Sequence, residues 1–207
     1  MIDNLTLFLG ICFLLAMVPG PGAMVVLRQA IRDGRKSAFI TLLGNETALI
    51  IWGVSAACGL TALITASRLA YDVVRIAGAI ILIAIGCQSL VRARHGEKPA
   101  PEISSNVNNG WKSYSVGVIA NLSNPKAGVF ASSFLPQFVS TRASVFPAML
   151  LLASLWALVD AAWFTGVIWF IDKAKVFFSR DTVWRRMTQI SGLALIALGI
   201  RLAIFGA

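Results

Sequence analysis

Two proline-led breaks fall inside stretches of this chain that are otherwise apolar enough to cross a membrane: Pro19-Gly20-Pro21-Gly22 and Asn124-Pro125-Lys126. Proline has no backbone donor and its ring collides with the preceding helical turn, so each site interrupts a helix. In hydrocarbon the freed carbonyls have no water to turn to. Such a break is tolerated only where protein or a wet cavity surrounds it. Breaks in matching places of two halves point to the binding site of a transporter. For either break taken alone, a plain structural kink is the simpler alternative.

The composition fits a membrane setting. Hydrophobic residues make up 57% of the chain and charged residues 13%, about half the charge of an ordinary soluble domain. Six spans are expected, at approximately 5–27, 38–66, 70–91, 113–138, 145–171 and 187–205. Each is close to or longer than the ~20 residues that cross ~30 Å of hydrocarbon. The segment 5–18 has no basic start, follows Asp3 and runs into Pro-Gly-Pro instead of a small-residue cleavage site, so it reads as a span and not as a secretory leader. The net charge of +9 does not argue for nucleic acid here. Thirteen of the 18 Lys and Arg residues lie in alternate loops: Arg28, Arg32, Arg35 and Lys36, then Arg92, Arg94, Lys98 and Lys112, then Lys173, Lys175, Arg180, Arg185 and Arg186. Basic loops stay cytoplasmic, which places both termini outside if all six stretches span; five spans with one re-entrant segment is the alternative. Cys12, Cys58 and Cys87 are dispersed and show neither zinc nor redox spacing, so no metal or other cofactor is expected.

The two halves of the chain are similar. Pro21-Gly22-Ala23-Met24-Val25-Val26 aligns with Pro125-Lys126-Ala127-Gly128-Val129-Phe130, an offset of 104, while Glu46 and Asp160, and Gly78 and Gly192, stand 114 apart. Three spans per half force the second copy upside down. The expected fold is therefore an all-α membrane protein of six transmembrane helices, arranged as two inverted three-helix repeats with helices 1 and 4 broken. Residues 1–93 form the first repeat, 94–110 a polar cytoplasmic linker and 111–207 the second repeat. Gly78 and Gly86 share a face of span 3, as Gly192 and Gly199 share one of span 6. Close helix packing explains them without a functional role.

Few ionisable groups lie deep in the spans. Glu46 is about eight residues, ~12 Å, into span 2, and Asp160 about eleven residues, ~17 Å, into span 5. Lys126 is near the same depth. Buried charges pair with one another or line a wet path. Asp160 and Glu46 read as proton-coupling or ammonium-binding carboxylates, and Lys126 as a partner for a substrate carboxylate. A static Asp160–Lys126 bridge between helices is the structural alternative. Helix N-termini at the breaks offer N–H groups to a carboxylate, and free carbonyls suit an ammonium, so the set suits a zwitterion. Asn121, Asn124 and Gln137 add neutral hydrogen-bonding groups. Trp156 and Trp163 flank Asp160 by about a turn, where packing is the plainer role. His95 lies in the linker and no His-Glu-x-x-His occurs, so nothing marks an enzyme.

At Pro19-Gly20-Pro21-Gly22, Gly44-Asn45-Glu46-Thr47, Asn121-Leu122-Ser123-Asn124-Pro125-Lys126 and Phe134-Leu135-Pro136-Gln137-Phe138 the chain resembles the lysine exporter superfamily, in its threonine/homoserine exporter branch. The resemblance covers nearly the whole chain and places an aspartate of span 5 at Asp160. It implies a bacterial inner-membrane exporter of amino acids or their derivatives, driven by the proton gradient and homodimeric. Substrate-binding positions are then Pro19, Gly20, Pro21, Gly22, Asn45, Asn121, Asn124, Pro125 and Lys126. One departure is Glu46, where relatives carry a neutral residue; it suits a more cationic cargo. An exporter of another small cationic solute or metal ion, and a membrane scaffold without transport, are the alternatives.

Overall fold

The computed structural model describes residues 4–17, 20–66, 68–95, 110–140, 144–171 and 181–205. Among these, helices carry the fold and no strand forms. The first broken stretch is α1 (Leu5–Met17) followed by α2 (Pro21–Arg32), with 56° between them. Next come α3 (Gly34–Ala66), α4 (Arg68–His95), α5 (Gly110–Leu122) and the short α6 (Pro125–Val129). A π-helical turn (Phe130–Phe134) and a 3-10 turn (Leu135–Phe138) complete the second broken stretch, before α7 (Val145–Trp169) and α8 (Asp181–Phe205). Pro19, residues 96–109 of the expected linker, and Lys173, Lys175 and Arg180 lie outside the described residues. Helix α4 runs through His95, two residues into the expected linker.

Helix thus covers all six stretches expected to span. Among the described residues three helices qualify by length and composition, Gly34–Gly59, Arg75–His95 and Val145–Trp169, and the bent pair α1–α2 makes a fourth if it is one span. In α8 the apolar stretch Thr188–Ile204 is shorter. Large apolar side chains stand exposed in the middle of the long helices, with Leu43 63%, Ile80 62% and Leu158 65% accessible. Apolar surface of that extent needs a non-aqueous surrounding or a partner.

Inside, α3 lies against α2, α5 and α7, α4 against α8, and α1 against α7. Small residues bring these backbones into contact. A Cβ on Gly44 would run into the Tyr114 carbonyl, and one on Gly117 into the Thr41 carbonyl, so α3 and α5 cross main chain to main chain. Gly86 and Gly192 face each other's carbonyls between α4 and α8, and Gly199 faces that of Ala79. The packing role expected for these glycines is what their surroundings require. An aromatic core closes one end: Phe8 stacks obliquely on Phe138 at 5.1 Å and Phe130 on Trp156 at 4.8 Å. Arg201 sits 5.6 Å above the Phe138 ring, a cation–π contact that ties α8 to the end of the second broken stretch.

Two local features follow from sequence chemistry. Gly34 turns α2 into α3 at φ 84°, in the left-handed region that glycine enters without steric cost. Pro136 has no N–H to offer the Ser132 carbonyl, and just ahead of it the ladder widens, with the Leu135 N–H reaching the Phe130 carbonyl.

Candidate functional site

The two breaks are chemically alike at their starts and differ in how they are completed. In a continuous helix the Leu15 carbonyl would accept from residue 19 and the Asn121 carbonyl from residue 125. Both are proline, so both carbonyls lose that donor. At the second break the Trp52 indole Nε1 donates to the Asn121 oxygen at 3.3 Å, and the Asn124 N–H adds a bond of 3.0 Å. At the first, the Lys126 ammonium donates to the Leu15 oxygen at 3.3 Å. One break is thus stapled to the other by a cation.

The N-termini that follow the breaks also diverge. Helix α6 is capped by its own Asn124, whose Oδ1 accepts from the Lys126 N–H at 3.2 Å and whose carbonyl accepts from Ala127 at 3.0 Å and Gly128 at 3.2 Å. Helix α2 starts at Pro21 behind Gly20, with no side-chain cap. Helical geometry leaves the N–H groups of Gly22 and Ala23 without an intrahelical acceptor. The start of α6 therefore has a side-chain cap and that of α2 has none.

A polar network lies beside them. Asn45, 4% exposed, donates through Nδ2 to Asp160 Oδ2 at 3.2 Å and to Glu46 Oε1 at 3.3 Å. Its backbone carbonyl accepts from Asn121 Nδ2 at 3.0 Å. A Cβ on Gly22 would overlap Asn45 Oδ1, so this glycine makes room for the amide. Glu46 Oε2 meets no N–H or O–H donor among the described residues. Asp160 and Glu46 thus present their carboxyl groups to one and the same amide nitrogen. Lys126 lines the same cavity as Asp160.

These groups surround a cavity lined by Gly20, Gly22, Asn45, Asn121, Asn124, Lys126 and Asp160 on its polar side. Leu15, Leu49, Trp156 and Phe164 form much of the apolar side. The empty space between these residues, open solvent included, is about 350 Å³.

Most site positions expected from sequence meet here. Pro21 and Pro125 begin the helices at the wall and shape it without lining it. Glu46 touches the site only through Asn45 and Asp160 and does not line the cavity. Gln137 is spent on its own helix, donating to the Ser133 carbonyl at 3.0 Å. Trp156 packs in the core and also lines the cavity, while Trp163 packs edge-on against Phe13 at 5.4 Å. The apolar wall residues Leu15, Leu49 and Phe164 carry no sequence signal that separates them from other apolar span residues.

The family model for a LysE type translocator matches residues 13–206. The chain is 26% identical to the "Uncharacterized membrane protein YrhP" of Bacillus subtilis over 96% of this chain and 97% of that protein. It is 26% identical to a "Homoserine/homoserine lactone efflux protein" of Salmonella typhimurium, covering 92% and 91%. It is 27% identical to the "Threonine efflux protein" of Escherichia coli K12, covering 91% of each. No solved structure matches. With its exposed apolar helices and a match across nearly its whole length, the chain is a multi-pass membrane protein that belongs to the LysE type translocator family.

Proposed function

We propose that this protein exports amino acids or close derivatives across the bacterial inner membrane, by alternating access coupled to protons. The observation that carries this reading is the cavity at the two helix breaks, whose wall offers complementary ends to a zwitterion. The uncapped α2 N-terminus, at Gly22 and Ala23, and the Lys126 ammonium suit a carboxylate. Asp160 suits an ammonium. The Glu46–Asp160 pair, bridged by Asn45, is the proton carrier: repulsion opposes ionising both carboxyl groups at that separation, so loading cargo on Asp160 and releasing a proton are linked events. Relatives named as threonine and homoserine efflux proteins support an amino-acid cargo.

The inverted repeat is part of the same reading. If α1–α2 corresponds to α5–α6, α3 to α7 and α4 to α8, then an internal two-fold axis pairs α3 with α7 and α4 with α8, and relates the α3–α5 contact to the α7–α1 contact. All four contacts occur. The residues aligned across the halves, Glu46 and Asp160, then share the Asn45 amide near that axis. Rocking of one repeat against the other about the cavity would expose it alternately to the two sides. The termini face outward, and the working unit is a homodimer. Since Glu46 does not line the cavity, a neutral amino acid fits better than a cationic one.

The test is uptake into everted membrane vesicles under an imposed proton gradient, with a panel of neutral and basic radiolabelled amino acids. Saturable uptake of neutral members that collapses with an uncoupler is expected. Gradient-dependent uptake confined to basic amino acids, or to other cations, would move the assignment to cationic cargo. No uptake of any amino acid by folded protein would move the assignment to an exporter of other solutes first and to a scaffold second.

A further inference from the structure

At the cavity, the Lys126 ammonium bonds the Leu15 carbonyl, stripped of its helical donor by Pro19, and shares the cavity wall with Asp160. A Cβ on Gly20 would stand 3.5 Å from Lys126 Nζ and 3.3 Å from Asn124 Nδ2, so the same ammonium rests against the start of the α2 break. A backbone carbonyl freed by a helix break, beside a carboxylate and inside a small cavity, is what a primary ammonium ligand requires. Here the protein's own lysine fills that place. The other proline-orphaned carbonyl, on Asn121, is treated differently: a buried neutral donor, the indole of Trp52, satisfies it and has no charge to exchange.

We infer that the Leu15 carbonyl and Asp160 form a primary-ammonium subsite, and that Lys126 occupies it as an internal stand-in until an arriving ligand ammonium displaces it. This deepens the amino-acid export reading and rests on it for the nature of the cargo. The lysine carries three donors on a flexible four-carbon stem, so it can leave the Leu15 oxygen without moving the backbone. Once displaced, it is beside the uncapped N–H groups of Gly22 and Ala23, where a carboxylate on the same ligand would sit. The exchange replaces one ammonium by another at the broken end of α1, so the empty carrier never leaves that carbonyl or Asp160 bare. Ligands with an ammonium but no carboxylate pay for displacing the lysine and give it no new partner; they are poor ligands of the intact protein.

The experiment removes the stand-in. Purified protein in detergent, as wild type, Lys126→Ala and Lys126→Met, is titrated with ethylammonium, with tetramethylammonium as a cation that has no N–H. Thermal stability is the readout. Met keeps most of the lysine stem in place, which guards against a packing failure in the Ala variant. The expected result is stabilisation of the variants by ethylammonium at concentrations at least about tenfold below those needed for wild type, the lower end of what a hydrogen bond to a charged group contributes. Tetramethylammonium gives no such difference. Equal responses of wild type and variants, or equal responses to the two cations, would overturn the subsite. The outcome is separable from that of the export reading. Selective ethylammonium binding without amino-acid uptake by vesicles keeps the subsite and removes the cargo, and uptake without the selectivity does the reverse.

Discussion

Asn45 is the residue whose loss tests the site's construction most sharply, because one amide holds two acids. Replacing it with Ala removes the bonds of 3.2 Å to Asp160 and 3.3 Å to Glu46. Both are longer than the ~2.7–2.9 Å of strong charge-assisted bonds. Hydrogen bonds between membrane helices average about 0.6 kcal/mol and reach about 1.7 kcal/mol. The bond to Asp160 crosses from α3 to α7 and that to Glu46 joins neighbours within α3; at about 1 kcal/mol each they contribute about 2 kcal/mol. The backbone carbonyl of Asn45, which holds Asn121, is untouched, so the α3–α5 crossing persists and the variant stays folded. Unfolding in mixed micelles should show this loss in Asn45→Ala. A cycle with Asp160→Asn should give a coupling of about 1 kcal/mol, as expected of residues in direct contact. If the lost energy serves to position Asp160 for transport, uptake falls about thirtyfold at ~1.4 kcal/mol per decade. Additive effects in the cycle, with transport unchanged, would refute the role given to Asn45.

Asp160→Asn should abolish proton-driven uptake while the amount of folded protein in the membrane stays normal; proton-dependent export by that variant would remove Asp160 from the mechanism. Trp52→Phe takes the indole donor from the Asn121 carbonyl and should lower stability by about 1 kcal/mol, with a thermal melt as the check. Gly117→Leu forces side-chain atoms onto the Thr41 carbonyl at the α3–α5 crossing and should cost at least about 1–3 kcal/mol by overpacking. Its signature is poor recovery of folded protein, whereas the same change at Gly10, which has nothing within 4 Å of a Cβ, should be tolerated.

Much of this was legible in the sequence because it follows from local chemistry. Proline at 19, 21 and 125 must break a helix wherever the chain goes, and the breaks stand where they were expected. Acids and a lysine at similar depth in apolar stretches have few ways to be stable apart, so the meeting of Glu46, Asp160 and Lys126 near one cavity was also foreseeable. The rest depends on side-chain direction, which periodicity does not carry. Nothing in the sequence says that Lys126 reaches back to Leu15, or that Asn124 caps α6 while α2 is left bare. Glu46 and Asp160 read as equivalent acids, yet only Asp160 lines the cavity, because Asn45 stands between Glu46 and its space. Gln137 looked available to a ligand and bonds its own helix instead.

The central claim is that cargo occupies the cavity at the helix breaks. Ala23 lines that cavity beside the α2 N-terminus, so a cysteine placed there, with Cys12, Cys58 and Cys87 replaced by Ala, reports on occupancy. Its rate of reaction with a small maleimide should fall saturably as a transported amino acid is added. Half-protection should come near the concentration that half-saturates uptake, and an amino acid that is not transported should leave the rate unchanged. A labelling rate indifferent to cargo at concentrations that saturate transport would place the binding site elsewhere.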